Sequence, residues 1–141
     1  MSAYISAAVL FFWAGFVSSI SFMEAWLKFR AAGVTKPIGL SIGSKVFSAL
    51  NLMEWFFLVI AVLPVIILSG LYPSVVFLLM CGVVTILLIQ TFLLLPRLVR
   101  RASAIIGGIE INKSPVHLFY IAAELMKVGL IIASGVLLLN S

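Results

Sequence analysis

The chain has 141 residues, 65% of them hydrophobic and 9% charged, with a formal net charge of +5. A soluble domain is nearer half apolar and one quarter charged, so this composition reads as a single integral membrane domain, 1–141, with no room for a separate soluble module. The positive charge calls for no nucleic acid partner, because the collection of Lys and Arg in cytoplasmic loops accounts for it.

The first apolar run covers about 3–29. MSAYISAAVLFFWAGF lacks a basic leading region and its apolar character continues to Leu27, so it reads as a retained span rather than a cleaved signal. Lys28, Arg30, Lys36 and Lys45 flank or fill the loop that follows. Within it, GLSIGSK has three residues between its glycines and Ser44 before the lysine, so it departs from a Walker A loop and reads as a turn with a helix cap. Span 2 covers about 46–68 and contains Pro64, where a kink is expected and tolerated. Tyr72-Pro73 marks a tight turn into span 3, about 74–95. Cys81, the single cysteine, excludes an intrachain disulfide and reads as a small core residue. Loop 3 holds Arg97, Arg100, Arg101 and Lys113, with a short amphipathic surface helix expected over Leu98–Ile106. Span 4 covers about 116–139. Each span holds the ~20 residues that cross a bilayer, which predicts an all-α, integral membrane four-helix bundle running up-down-up-down.

Eight of the nine Lys and Arg residues flank or fill loops 1 and 3, and the ninth is Lys127 inside span 4. The expected topology therefore has loops 1 and 3 in the cytoplasm and both termini on the far side, in a cell inner membrane. The expected partners are the lipid bilayer and, at the basic loops, anionic lipid headgroups.

Charged groups inside the spans are the strongest pointer to function. Glu54 and Glu124 lie within spans, Glu24 about one turn from the end of span 1, and Lys127 deep in span 4. An ionised group at the centre of a spanning helix costs roughly 2.5–3.5 kcal/mol, so it faces protein, water or a ligand. At about 1.5 Å of rise per residue, Glu24, Glu54, Gln90, Glu124 and Lys127 lie roughly 6, 13, 10, 13 and 18 Å inside the basic ends of their helices. All four spans thus place a polar group in the cytoplasmic half. His117, Tyr120, Glu124 and Lys127 share one stripe of span 4, and Asn51 and Glu54 are neighbours on span 2. Three carboxylates against Lys127 leave a formal −2, of which Lys28 can take up one by snorkelling. The remainder implies a protonated carboxyl, a bound cation or a water-filled cavity.

This residue set is a poor metal centre. The chain has one histidine, no Glu-x-x-His, no Asp, and a lysine that would repel a cation, so no metal or other cofactor is expected. Three readings stay open. Glu24, Glu54, Glu124 and Lys127 form a structural ion-pair layer; or they bind or transport a small or lipophilic ligand with Asn51, Gln90, Tyr120 and His117 around them; or Glu24, Glu54 and Glu124 are acid–base residues of a small intramembrane enzyme acting as an isomerase, cyclase or oxygenase. Trp13, Trp26 and Trp55 are candidates to line the pocket. A homo-oligomer would favour transport, since one small bundle has little room for a conduit.

Two segments carry a resemblance. FVSSISFMEAWLKFR followed by IGLSIGSKVFSALN resembles the first hairpin of a four-span membrane family of largely unknown function that includes a cisplatin-tolerance protein, and QTFLLLPRLVRRA and HLFYIAAELMKVG are similar to its later spans. That family implies small polar residues where this chain has Glu24, Glu124 and Lys127. AGFVSSISFMEAWLKF is also similar to the first span of small anthrone-oxygenase-like membrane proteins, which carry a Glu near the place of Glu24. This second resemblance implies an enzyme of aromatic or polyketide-like substrates.

Overall fold

The computed structural model describes residues 2–67, 73–110 and 114–140, with the side chains of Ser2, Glu24, Ala25, Val65 and Ile66 outside the description. The first span is α1 (Ser2–Ser18), a π-helical turn (Ser19–Glu24), α2 (Ala25–Leu27) and a 3-10 turn (Lys28–Arg30). Then come α3 (Lys36–Ile67), α4 (Ser74–Ile89), a second π segment (Gln90–Leu94), α5 (Leu95–Ile106) and α6 (Val116–Leu139). Four helices are long and apolar enough to cross a membrane: Ala3–Arg30, Lys36–Pro64, Ser74–Ile106 and Val116–Leu139. They form the all-α bundle that the four apolar runs predict.

Its solvent preference is inverted relative to a soluble protein. Leu52, Phe56, Leu78, Phe92 and Leu118 face outward, while Glu54, Gln90, Glu124 and Lys127 are buried. Water would penalise that outer surface, whereas lipid tails suit it and leave the polar groups to find partners inside. The chain is an integral membrane protein.

The packing forms a square. α1 lies against α6 and α3, and α4 lies against the same two helices, so α3 and α6 stand on a diagonal. Small residues close the sides. A Cβ on Gly135 of α6 would come within 2.9 Å of the Phe11 ring on α1, and one on Gly82 of α4 within 3.1 Å of Leu130. Close approach at small residues replaces the hydrophobic driving force that lipid removes.

Three expectations change. First, α3 starts at Lys36, ten residues before Val46, so GLSIGSK lies inside a helix and is no turn. Pro37 sits in the first turn, where a missing N–H costs nothing, and Phe29 and Lys28 pack over Gly39 and Gly43. Second, the helix expected over Leu98–Ile106 is present as α5, but it continues span 3 rather than starting as a separate short helix. It turns Ala102 inward and Arg97 and Arg100 outward, packs against α3, and ends at Gly107-Gly108, where Gly108 takes φ +80°. Third, Cys81 is on the outer face of α4, not in the core. Pro64 is accommodated inside α3. Tyr72, of the expected turn, and Lys113 lie outside the described residues.

Candidate functional site

The buried polar side chains converge across the diagonal of the square. Lys127 on α6 donates a hydrogen bond to Gln90 Oε1 at 2.6 Å. Its Nζ also lies 2.5 Å from Glu54 Oε1 on α3 and 3.1 Å from Glu124 Oε2, three residues away on its own helix. Both carboxylate contacts are fully buried ion pairs. Gln90 closes the ring by donating Nε2–H to Glu124 Oε1 at 3.0 Å. All four residues are 0% exposed.

Side-chain length makes this ring feasible. Neighbouring helix axes lie about 8–10 Å apart, so a diagonal is roughly 11–14 Å. A lysine and a glutamate reaching toward each other span that gap. Among the described side chains formal charge does not balance: two carboxylates face one ammonium.

A second, neutral network lies beside the first. Trp55 Nε1–H donates to Thr91 Oγ1 at 3.0 Å. The single Thr91 hydroxyl proton is shared between Asn51 Oδ1 at 3.1 Å and the Leu87 carbonyl at 2.7 Å. Gln90 and Thr91 are adjacent in sequence, yet both find interior partners. The π segment beginning at Gln90 widens the helix there and helps bring consecutive residues to the inner face.

Polar capacity around the ring exceeds what its hydrogen bonds use. The indole N–H of Trp13 faces Glu54 and the Tyr120 hydroxyl faces Glu124, but neither reaches hydrogen-bond geometry. Glu54 Oε2, Asn51 Nδ2 and Ser21 Oγ are likewise buried with no hydrogen-bond partner among the described residues. Each such group costs about 1–3 kcal/mol when left unsatisfied. Trp13 stacks on Phe57 (6.3 Å between centroids) and Tyr120 meets Phe47 edge-on (5.1 Å), so both polar tips are carried on rigid aromatic bodies.

No family model, curated protein or solved structure gives a significant match to this chain.

The structure brings together Glu54, Glu124, Lys127 and Gln90, and places Asn51 and Tyr120 directly around them. His117 stands apart: it is exposed and meets the far side of Phe47, 6.4 Å between ring centroids. The side chain of Glu24 lies outside the described residues. Of the tryptophans, Trp13 and Trp55 border the polar groups, whereas Trp26 is exposed beneath the Arg30 guanidinium at 3.9 Å. Thr91 is the residue that spacing did not single out, because a π segment breaks the 3.6-residue period by which inward faces are read. Among the described residues no group of three His, Cys, Asp or Glu is placed to hold a metal ion.

Proposed function

We propose that this protein binds a small ligand inside the membrane, at the ring formed by Glu54, Lys127, Glu124 and Gln90, as a binding or transport protein. The observation that carries this reading is the charge count. Among the described side chains, two carboxylates and one ammonium are fully buried together, leaving one formal negative charge. A low-dielectric interior penalises that excess, so the ring favours a partner bringing a single positive charge: a proton or a small organic cation. The unpaired atoms on Glu54, Trp13 and Asn51 supply the hydrogen bonds to orient it.

A second reading uses the same groups for acid–base chemistry on a lipophilic substrate. It is favoured by the Tyr120 hydroxyl facing Glu124, which sets a proton donor beside a carboxylate.

The test is purification with native lipids, followed by mass spectrometry of co-purified small molecules, for the parent, Glu54→Gln and Glu124→Gln. The proposal expects at least one variant to stay folded and to lose a ligand that the parent retains. If both variants keep stability and ligand, the ring is not the site. If both unfold and the parent never holds a ligand, the ring is a packing element. Chemical change in the recovered ligand would favour catalysis over transport.

A further inference from the structure

One face of α6 joins the buried ring to the basic end of the bundle. His117, Tyr120, Glu124 and Lys127 recur there at the spacing of a single helical stripe. At the outer end His117 and Phe47 are among the residues lining a cleft of about 500 Å³. Phe47 is the wall between this cleft and the interior. Its phenyl group meets His117 at 6.4 Å and Tyr120 at 5.1 Å between centroids. Tyr120 is fully buried behind it, with its hydroxyl facing Glu124. A group that both donates and accepts a proton thus stands one aromatic side chain away from the cleft and beside the charged ring.

The ring favours a partner of one positive charge, and its geometry selects the smallest. Lys127 Nζ already lies within 2.5–3.1 Å of Glu54 Oε1, Gln90 Oε1 and Glu124 Oε2. An organic ammonium would compete for those oxygens and set like charge beside like. The unpaired groups nearby are mostly donors: the Trp13 indole N–H, the Asn51 amide and the Tyr120 hydroxyl, with Glu54 Oε2 as the acceptor left over. An ammonium wants an acceptor for each N–H, whereas a proton wants a single oxygen. Every helix of the square contributes to these surroundings: Trp13 from α1, Asn51 from α3, Gln90 from the segment after α4, and Tyr120 and Lys127 from α6. Lys28 and His117 stand on the cleft side of Phe47. Among the described residues Lys127 is the one cation paired with either carboxylate. Of the nine basic residues only Lys113 lies outside the description, and it belongs to loop 3. The Glu24 side chain, also outside it, would only add negative charge.

Resting on the reading of the ring as a ligand site, we propose that its ligand is a proton, shared by Glu54 and Glu124 and exchanged with water at the basic end through the Tyr120 hydroxyl. On entry the hydroxyl passes its proton to a Glu124 oxygen while its own oxygen accepts one from the cleft side. One O–H bond of the phenol breaks as another forms, so Tyr120 ends unchanged and the carboxylate pair goes from two negative charges to one. Exit is the reverse. Phe47 keeps bulk water from Tyr120 between transfers.

The carboxylic acid C=O stretch in the infrared spectrum of the full chain in detergent micelles tests this, read at neutral pH and again after transfer to deuterated buffer. The parent should show the band, and Glu54→Gln and Glu124→Gln should each lose it, because either substitution leaves one carboxylate facing one ammonium. Glu24→Gln combined with Glu110→Gln, which removes the other two glutamates, should keep it. Tyr120→Phe should slow deuterium exchange of the band about 100-fold, the lower end of what a positioned proton-transfer group contributes. Phe47→Ala should speed that exchange, and Trp13→Phe, which removes a donor beside Glu54, should leave it unchanged. Thermal unfolding identifies any glutamine variant that fails to fold, and Tyr120→Phe, which keeps the aromatic body, then carries the test. A parent without the band overturns the proton and leaves the ring to another cation, which the mass spectrometry of co-purified molecules reads separately. A band that survives in both glutamine variants overturns the proposal together with the ring as the site. Exchange as fast in Tyr120→Phe as in the parent, or slowed equally by Trp13→Phe, overturns the route.

Discussion

Lys127 Nζ and Glu54 Oε1 meet at 2.5 Å across the diagonal of the bundle, joining α6 to α3, two helices that each pack on both α1 and α4. The pair therefore links opposite corners of the square. Removing one partner of a buried pair leaves an uncompensated charge and costs about 3–5 kcal/mol. Lys127→Met should lose stability on that scale, because two adjacent carboxylates then face each other without a cation. Lys127→Met combined with Glu54→Gln and Glu124→Gln, which carries no buried charge, should regain most of the loss. Reversible unfolding in mixed detergent micelles would measure both; a triple variant no more stable than Lys127→Met would contradict the pairing.

Reach across the diagonal makes a second prediction. Glu54→Asp keeps the charge but draws the carboxylate back by about 1.5 Å, one carbon–carbon bond. The ion pair should open, and Glu54→Asp should be less stable than Glu54→Gln, which leaves the remaining Lys127 and Glu124 charges balanced. Side-by-side thermal unfolding decides the order of the two variants.

The neutral network predicts a smaller effect. Thr91→Val removes the hydroxyl that accepts from Trp55 and donates toward Asn51. Hydrogen bonds between membrane helices average ~0.6 kcal/mol and reach about 1.7, so the loss should fall in that range. Trp55 fluorescence should shift in wavelength on the substitution, since its indole N–H loses its partner. Unchanged emission, with Trp13 and Trp26 replaced by Phe to isolate Trp55, would count against the contact.

Close packing of α1 on α6 depends on Gly135. A methyl group there would lie 2.9–3.2 Å from three atoms of the Phe11 ring, a rigid body that must move as a whole. Gly135→Ala should cost about 1–3 kcal/mol, the usual range for overpacking. Gly129→Ala, where an added Cβ meets nothing within 4 Å, is the matched control and should be near neutral. Equal melting temperatures for the two variants would refute the contact.

Much of this molecule is legible without coordinates. Four apolar runs of spanning length require four helices, because lipid leaves backbone groups no partner but each other. The cost of buried charge marks Glu54, Glu124 and Lys127 as inward-facing, and helix rise puts Gln90 at a similar depth. What depth and spacing leave open is who meets whom. Helix order around the square, which sets α3 opposite α6, is a result of packing between small and large residues far apart in sequence. The π segment at Gln90 that accompanies the inward placement of Thr91 is likewise invisible to a fixed period. The early start of α3 escaped because Gly39 and Gly43 read as turn residues, whereas they lie inside the helix where their missing side chains leave room for Phe29 and Lys28. Composition determined the solvent and the number of spans. Tertiary structure alone decided that two carboxylates share one ammonium, because the stoichiometry of a buried site depends on which helices stand close enough for their side chains to touch.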